Sequence, residues 1–279
     1  MKKTDPLQPL TVIEPRKDWQ AFNWRELKDY RDLLYFWVLR EIKILYRQTV
    51  LGFTWALIRP VASMIVFSVV FGKLARVPSD GIPYPIFAYA ALMPWTYFSQ
   101  SLIKSTDSLV QQASVISKIY FPRLIIPMAP VLAGLLDFVL SFLVFFILMF
   151  VYHIQPTWNI LYIPLLVVIM VLTASGLGMW TSALGIQYRD VRQAMMFIVQ
   201  LLMYASPIVW PISIIPFKYR TIYAIYPMAG VIEGFRAALI GKHPMPWYSI
   251  SIGSISAICL FITGAIIFNR MEKNFADVA

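Results

Sequence analysis

A single cysteine, Cys259, stands among 279 residues, and it falls inside an apolar stretch. A disulfide framework within the chain is thereby excluded. Histidine is nearly as scarce. His153 and His243 fall in expected external loops, with no Cys or His partner at ligand spacing, so they are expected to be surface residues and no metal site is expected. Nothing matches G-x-x-x-x-G-K-[ST], the loop that cradles nucleotide phosphates. If ATP is used, another chain hydrolyses it. No Ser-His-Asp arrangement suggests itself either. Charge is thin, at 14% of residues. The start, MKKTDPLQPL, has no apolar run behind its lysines, so it does not read as a signal peptide and insertion is expected to rely on the first span.

What is present is hydrophobic side chain, 59% of the total, with a mean hydropathy of +0.68. That composition describes a polytopic membrane protein. The net charge of +10 does not point to nucleic acid, because the cations sit between apolar runs and not on one soluble basic face. They suit anionic lipid and the orientation rule better.

A spanning helix needs about 20 mostly apolar residues. Six such stretches are expected: about Thr54–Leu74, Tyr84–Ile103, Leu124–Val151, Ile160–Gly185, Ala194–Trp210 and Tyr248–Phe268. Between the second and third, Leu109, Val110, Ala113, Ile116 and Ile119 recur at helical spacing and predict a short amphipathic helix closed by Pro122. Between the fifth and sixth, residues 206–247 are apolar but interrupted by Pro207, Pro211, Pro216, Pro227, Pro244 and Pro246. Broken backbone at membrane depth is tolerated only under protein or beside water, so two short re-entrant helices are expected there. The fold class is all-α. No internal repeat is evident, which argues against an inverted-repeat transporter.

Residues 26–60 organise the chain. On a helical wheel Tyr30, Leu33, Leu34, Trp37, Val38, Ile44 and Leu45 share one face, with Arg40, Lys43 and Arg47 at its edge. This is the pattern of a helix lying in the membrane interface, with Gly52 and Phe53 marking the turn into the bilayer. It reads as a juxtamembrane anchor or as a gate at the mouth of a path. Glu41 interrupts the apolar face and needs a cation or water. Asp137 is the clearest carboxylate within a span, facing either a neighbouring helix or a pathway. Glu233 and Arg236 stand three apart and can pair on one helix. Trp95, Tyr97, Phe98 and Tyr204 lie within spans, where aromatic faces can stack on sugar rings; packing is the alternative for each.

Most Lys and Arg fall in the N-terminal segment, the 104–123 connection, the 186–193 turn and the tail, which makes that side cytoplasmic and puts both termini inside. Lys73, Arg76, Lys218, Arg220, Arg236 and Lys242 remain for the other side. The expected organisation is a cytoplasmic segment over 1–48, a six-span domain over 49–271 and a cytoplasmic tail over 272–279.

Seven stretches, in order along nearly the whole chain, resemble the permease subunit of ABC type-2 polysaccharide exporters. They are DLLYFWVLREIKILYRQTVLGFTWALIRP (32–60), LMPWTYFSQSL (92–102), SVISKIYFPRLIIPMAPV (114–131), YRDVRQ (188–193), YASPIVWPISIIP (204–216), YPMAGVIEGFRAALIG (226–241) and EKNFAD (272–277). The family often has Asn where Tyr226 precedes Pro227. The resemblance implies a homodimer paired with two separate ATPase chains, which would carry ATP and Mg; this chain itself would hold no cofactor. It makes the 30–47 helix a cytoplasmic gate helix. There Arg40, Lys43 and Arg47 would meet the diphosphate of a polyprenyl-linked glycan. The 109–121 segment becomes the coupling helix on the ATPase, with Ser114, Ile116, Lys118 and Tyr120. The 206–241 region becomes an external gate, with Pro207, Pro211, Glu233 and Arg236. Trp95, Tyr97, Phe98 and Tyr204 are channel-lining candidates.

The resemblance implies export of O-antigen across the bacterial inner membrane. Teichoic acid or capsule export is the alternative within transport. A glycan-processing membrane enzyme would need an acidic or basic constellation that Asp80 and Glu233 alone do not make. An ion or drug transporter would use Asp137.

Overall fold

A computed structural model describes residues 28–47, 54–116, 118, 121–272 and 275; these form helices joined by short loops, without strands. The helices are α1 (Arg31–Tyr46), α2 (Thr54–Phe67), α3 (Tyr84–Gln111), α4 (Ala113–Ile116), α5 (Ile125–Val151), α6 (Ile163–Gln187), α7 (Arg189–Ala205), α8 (Phe217–Ala224), α9 (Pro227–Ile240) and α10 (Trp247–Met271). A widened helical turn over Ser68–Leu74 ends α2, and a tight turn over Trp158–Tyr162 leads into α6.

Among the described residues, four helical stretches are long and apolar enough to cross a membrane: Thr54–Leu74, Ile125–Val151, Trp158–Gln187 and Trp247–Met271. Two expected spans stand outside that group for different reasons. α3 has the length, at 28 residues, but its second half is polar, with Gln100, Lys104 and Asp107. α7 is apolar along one side only and stops after 17 residues.

α3 is the centre of the bundle. From Ile86 to Phe98 nearly every residue is buried, whichever way it faces, beneath α5, α6 and α9. A helix apolar all round and covered on all sides is the interior solution to that pattern. α10 lies along α6, and Gly176 sets their separation: a Cβ there would stand 2.6 Å from the Leu260 carbonyl carbon. Small residues let membrane helices approach backbone to backbone.

The amphipathic helix expected over 109–121 is not a separate element. α3 runs on through Gln111, because Leu109 is fully buried with Met179 and Ala183 of α6. Gln112 then breaks the helix, one turn follows in α4, and the chain bends at Pro122 into α5. Tyr120, Gly52 and Phe53 lie outside the described residues.

Between α7 and α10 the chain forms two short helices, α8 and α9, each entered from a proline, Pro216 and Pro227. Gly241 closes α9 in the left-handed conformation at φ 71°, its N–H bonding to Ala237 O at 3.2 Å.

Candidate functional site

The polar half of α3 makes the site. Thr96, Gln100, Lys104, Asp107 and Gln111 recur at spacings of four, four, three and four, so they form one stripe along the helix. α1, α2 and α5 stand over that stripe without filling the space. Two adjoining cavities remain, of ≈ 200 Å³ and ≈ 230 Å³, sharing Leu45, Lys104, Pro130 and Gly134 as walls. The first is closed by Tyr46 of α1, by Trp55 and Arg59 of α2, and by Asp137 of α5. The second contains Trp37 and Glu41 of α1 and reaches Asp107 and Gln112.

This arrangement accounts for the two anomalous carboxylates. Asp137 accepts a hydrogen bond from the Tyr46 hydroxyl, which ties the end of α1 to α5 across 91 residues of sequence. Glu41 faces Lys104 of α3, and Arg40 beside it is its other cation. Burial nevertheless pushes the Glu41 carboxyl above the ordinary carboxylate range, the two cations pulling the other way. The folded protein thus binds this proton more tightly than the unfolded chain does. Stability therefore falls as pH rises through the ordinary carboxylate range towards the raised value, and it stays lowered above it. Glu41→Gln is expected to unfold at a higher temperature than the parent at neutral pH and at the same temperature near pH 4. Thermal unfolding of detergent-solubilised protein at the two pH values measures this; equal midpoints at neutral pH would remove the burial penalty.

The residues expected to carry function are dispersed. Arg40 is exposed, yet engaged: it donates to Gln112 Oε1 at 3.0 Å and lies 4.7 Å from the Trp37 ring centroid. Lys43 and Arg47 are exposed on the outer side of α1. Ile44, expected on the buried face, is 54% exposed, while Tyr35 and Phe36 add a second apolar edge facing outward. α1 is a docked helix, with Trp37 buried against Phe121 at 5.9 Å between ring centroids.

Of the aromatic candidates, Tyr97 lines the first cavity and donates its hydroxyl to Val131 O at 2.9 Å. Trp95 and Phe98 are packed on each other in the interior, 4% and 0% exposed. Tyr204 is exposed on α7. In the coupling segment Ser114 and Ile116 lie on α4, Ile116 buried, and Lys118 is exposed.

Glu233 and Arg236 do pair, at 2.9 Å, as the hub of the broken outer segment. Arg236 also donates to Ile208 O at 2.7 Å, Phe87 O at 3.3 Å and Trp210 O at 3.5 Å, with its guanidinium 3.6 Å from the Phe87 ring centroid. Glu233 accepts from the Ile212 N–H at 3.1 Å. Pro207 and Pro211 are buried in the segment this pair holds, and the Ile208 and Trp210 carbonyls there find a donor in Arg236. Farther out, Ser213 bonds both carboxylate oxygens of Asp80 at 3.1 Å.

The residues that sequence reasoning missed are Thr96, Gln100, Lys104 and Arg59. For Thr96, Gln100 and Lys104 the signal was present as four-residue spacing on α3, beginning inside an expected span.

An all-helical membrane bundle with a basic docked helix, a polar cavity and a proline-broken segment is the setting of a transport subunit. The chain belongs to the ABC-2 type transporter family, which it matches over residues 33–240. Among its relatives is the O-antigen export system permease protein RfbA of Myxococcus xanthus, 28% identical over 91% of this chain and 97% of the relative. RfbA of Klebsiella pneumoniae is 29% identical over 88% and 95%. The polysialic acid transport protein KpsM of Escherichia coli is 22% identical over 84% and 92%.

Proposed function

We propose that this chain is the transmembrane subunit of an ATP-driven exporter. It moves a polyprenyl-diphosphate-linked polysaccharide, O-antigen in the first instance, from the cytoplasmic to the outer side of the bacterial inner membrane. The likeness to O-antigen export permeases along 91% of the chain carries the reading. Capsular polysaccharide is the second reading, favoured by the polysialic acid transport relatives.

In this reading two copies of the chain pair with two ATPase subunits, which bind ATP and Mg. Six spans cross the membrane: α2, the first part of α3, α5, α6, α7 and α10. Residues 1–48 and 272–279 stay in the cytoplasm, and α8 and α9 are re-entrant from the outside. α1 is the gate helix. The exposed cations Lys43 and Arg47, with Arg40 behind them, take the carrier diphosphate at headgroup depth, where charge-assisted bonds to phosphate are strong. The segment that carries Ser114, Ile116, Lys118 and Tyr120 meets the ATPase. The Arg236–Glu233 hub sets the outer gate, and the exposed Tyr204 belongs to the path between the two copies.

The test is ATPase activity of the co-purified complex in lipid nanodiscs. Lipid-linked O-antigen is expected to stimulate it. Lys43→Gln combined with Arg47→Gln is expected to weaken half-saturation by about 1.5–3 kcal/mol for each charge-assisted bond lost. Failure of any ATP-binding chain to co-purify would sink the exporter. Unchanged half-saturation would remove these two cations from the site.

A further inference from the structure

The cavity behind α1 has a wall whose chemistry differs from that of a diphosphate site. Arg59 and Lys104 are cations, but the carboxylate of Asp137 stands in the same wall and that of Glu41 faces Lys104. A phosphate pocket collects donors and excludes carboxylates, because like charges in a low dielectric repel strongly. Here acceptors and donors alternate. Asp137 uses one oxygen for Tyr46 and keeps the other. Gln100 and Lys104 form no hydrogen bond with the described residues. The hydroxyl of Ser101, 1% exposed, lies beside the Tyr97 phenol without a hydrogen bond of acceptable geometry. Buried polar groups are normally satisfied, so the Ser101 hydroxyl marks the place of a ligand, and the exposed Gln100 and half-buried Lys104 leave further donors and an acceptor free beside it.

Apolar surface completes the site. The ring of Tyr97 lines it, and Trp55, 43% exposed, borders it. Flat aromatic faces beside a carboxylate, an amide and an ammonium suit a polyol ring: its C–H faces stack on the aromatics and its hydroxyls both donate and accept. The ≈ 200 Å³ of space holds one such ring and not a chain of them. Its position is specific as well. Leu45 and Tyr46 line the cavity, and Lys43 and Arg47, on the outer side of the same helix, flank them in sequence.

We infer that the cavity enclosed by Tyr46, Trp55, Tyr97, Gln100, Lys104 and Asp137 is a monosaccharide subsite within each protomer, taking the sugar joined directly to the carrier diphosphate. The inference rests on the export reading and deepens it. The diphosphate stays at the basic edge of α1, and the first sugar enters behind the helix. Selection of the glycan then begins at one sugar, before the polymer enters the path, and does not require the long chain to be bound anywhere tightly.

The experiment uses the permease–ATPase complex in nanodiscs, with Ala56→Cys as a reporter in the cavity wall and Cys259→Ser to remove the other thiol. Maleimide modification of the reporter is timed with a methyl hexoside, a methyl N-acetylhexosaminide or inorganic pyrophosphate present. One of the glycosides is expected to slow labelling several-fold, and Gln100→Ala or Ser101→Ala is expected to abolish that protection. Ser101→Ala removes an unbonded hydroxyl and leaves the fold intact, so misfolding does not obscure the result. Protection by pyrophosphate alone overturns the proposal in favour of a phosphate pocket; protection by none of the three makes the cavity a packing void. With lipid-linked glycan, Gln100→Ala is expected to raise half-saturation of ATPase stimulation roughly three- to tenfold. An unchanged value removes the subsite and leaves the exporter standing. A parent complex that lipid-linked glycan never stimulates removes the export reading, and this subsite with it.

Discussion

Arg236→Met is expected to be the most damaging single substitution around the proline-broken segment, costing about 3–5 kcal/mol. The guanidinium is 4% exposed and answers Glu233 together with three backbone carbonyls. Methionine fills part of the volume but answers none of them, so a carboxylate and the carbonyls of Phe87, Ile208 and Trp210 lose their donor in a place water reaches poorly. The loss should be local at first: residues 206–216 should come free of α9 and α3. Thermal unfolding in detergent, with proteolysis of the 206–216 segment, measures it. The double change Arg236→Met with Glu233→Gln should cost clearly less than the two single costs added, because the stranded carboxylate is gone. Simple additivity would show that the pair is not the hub described.

Gly176→Val should be nearly as severe, by the opposite mechanism. The first carbon of any side chain at 176 meets the Leu260 carbonyl carbon at 2.6 Å and its oxygen at 2.7 Å. Backbone inside a packed helix cannot turn aside as a side-chain tip can, so α10 must lift from α6. Overpacking of this kind costs about 1–3 kcal/mol, occasionally more. Gly176→Ala should already show most of the effect, since the clash begins at Cβ. The midpoint of thermal unfolding is the readout. Cys259→Ser, on the exposed side of the same helix α10, should leave it unchanged. A Gly176→Ala protein as stable as its parent would mean that α6 and α10 are farther apart than described.

How much of this was legible beforehand depends on the range of the interaction. Ile125–Val151 and Trp247–Met271 read directly as long apolar helices, because hydropathy is a local sum. The proline-broken stretch after Ala205 holds two short helices, α8 and α9, because proline acts on its own neighbours. α1 read as basic and amphipathic, but the wheel could not choose which edge would dock: Trp37 went inward and Ile44 outward. The extent of α3 was misjudged because Lys104 and Asp107 look like a loop. Only the cover supplied by α6, far along the chain, keeps Leu109 helical and buried. Tyr46 and Asp137 are 91 residues apart, and Lys104 is remote from Glu41 in sequence; nothing local announces either pair. Trp95 and Phe98 were chosen for their chemistry, whereas their place is decided by the crowding around α3.

The burial of α3 also bears on how the protein is made. From Ile86 to Phe98 this helix is enclosed by α5, α6 and α9, all of which are synthesised after it. When α3 leaves the ribosome its covers do not exist, and its polar stripe from Thr96 to Gln111 has only α1 and α2 for company. Lys104 resists entry into lipid, and Asp137 is not yet present to receive Tyr46. α3 is therefore the helix least able to settle in lipid by itself. It is covered only once α5, α6 and α9 have been made, so the bundle assembles by late helices closing around an early one.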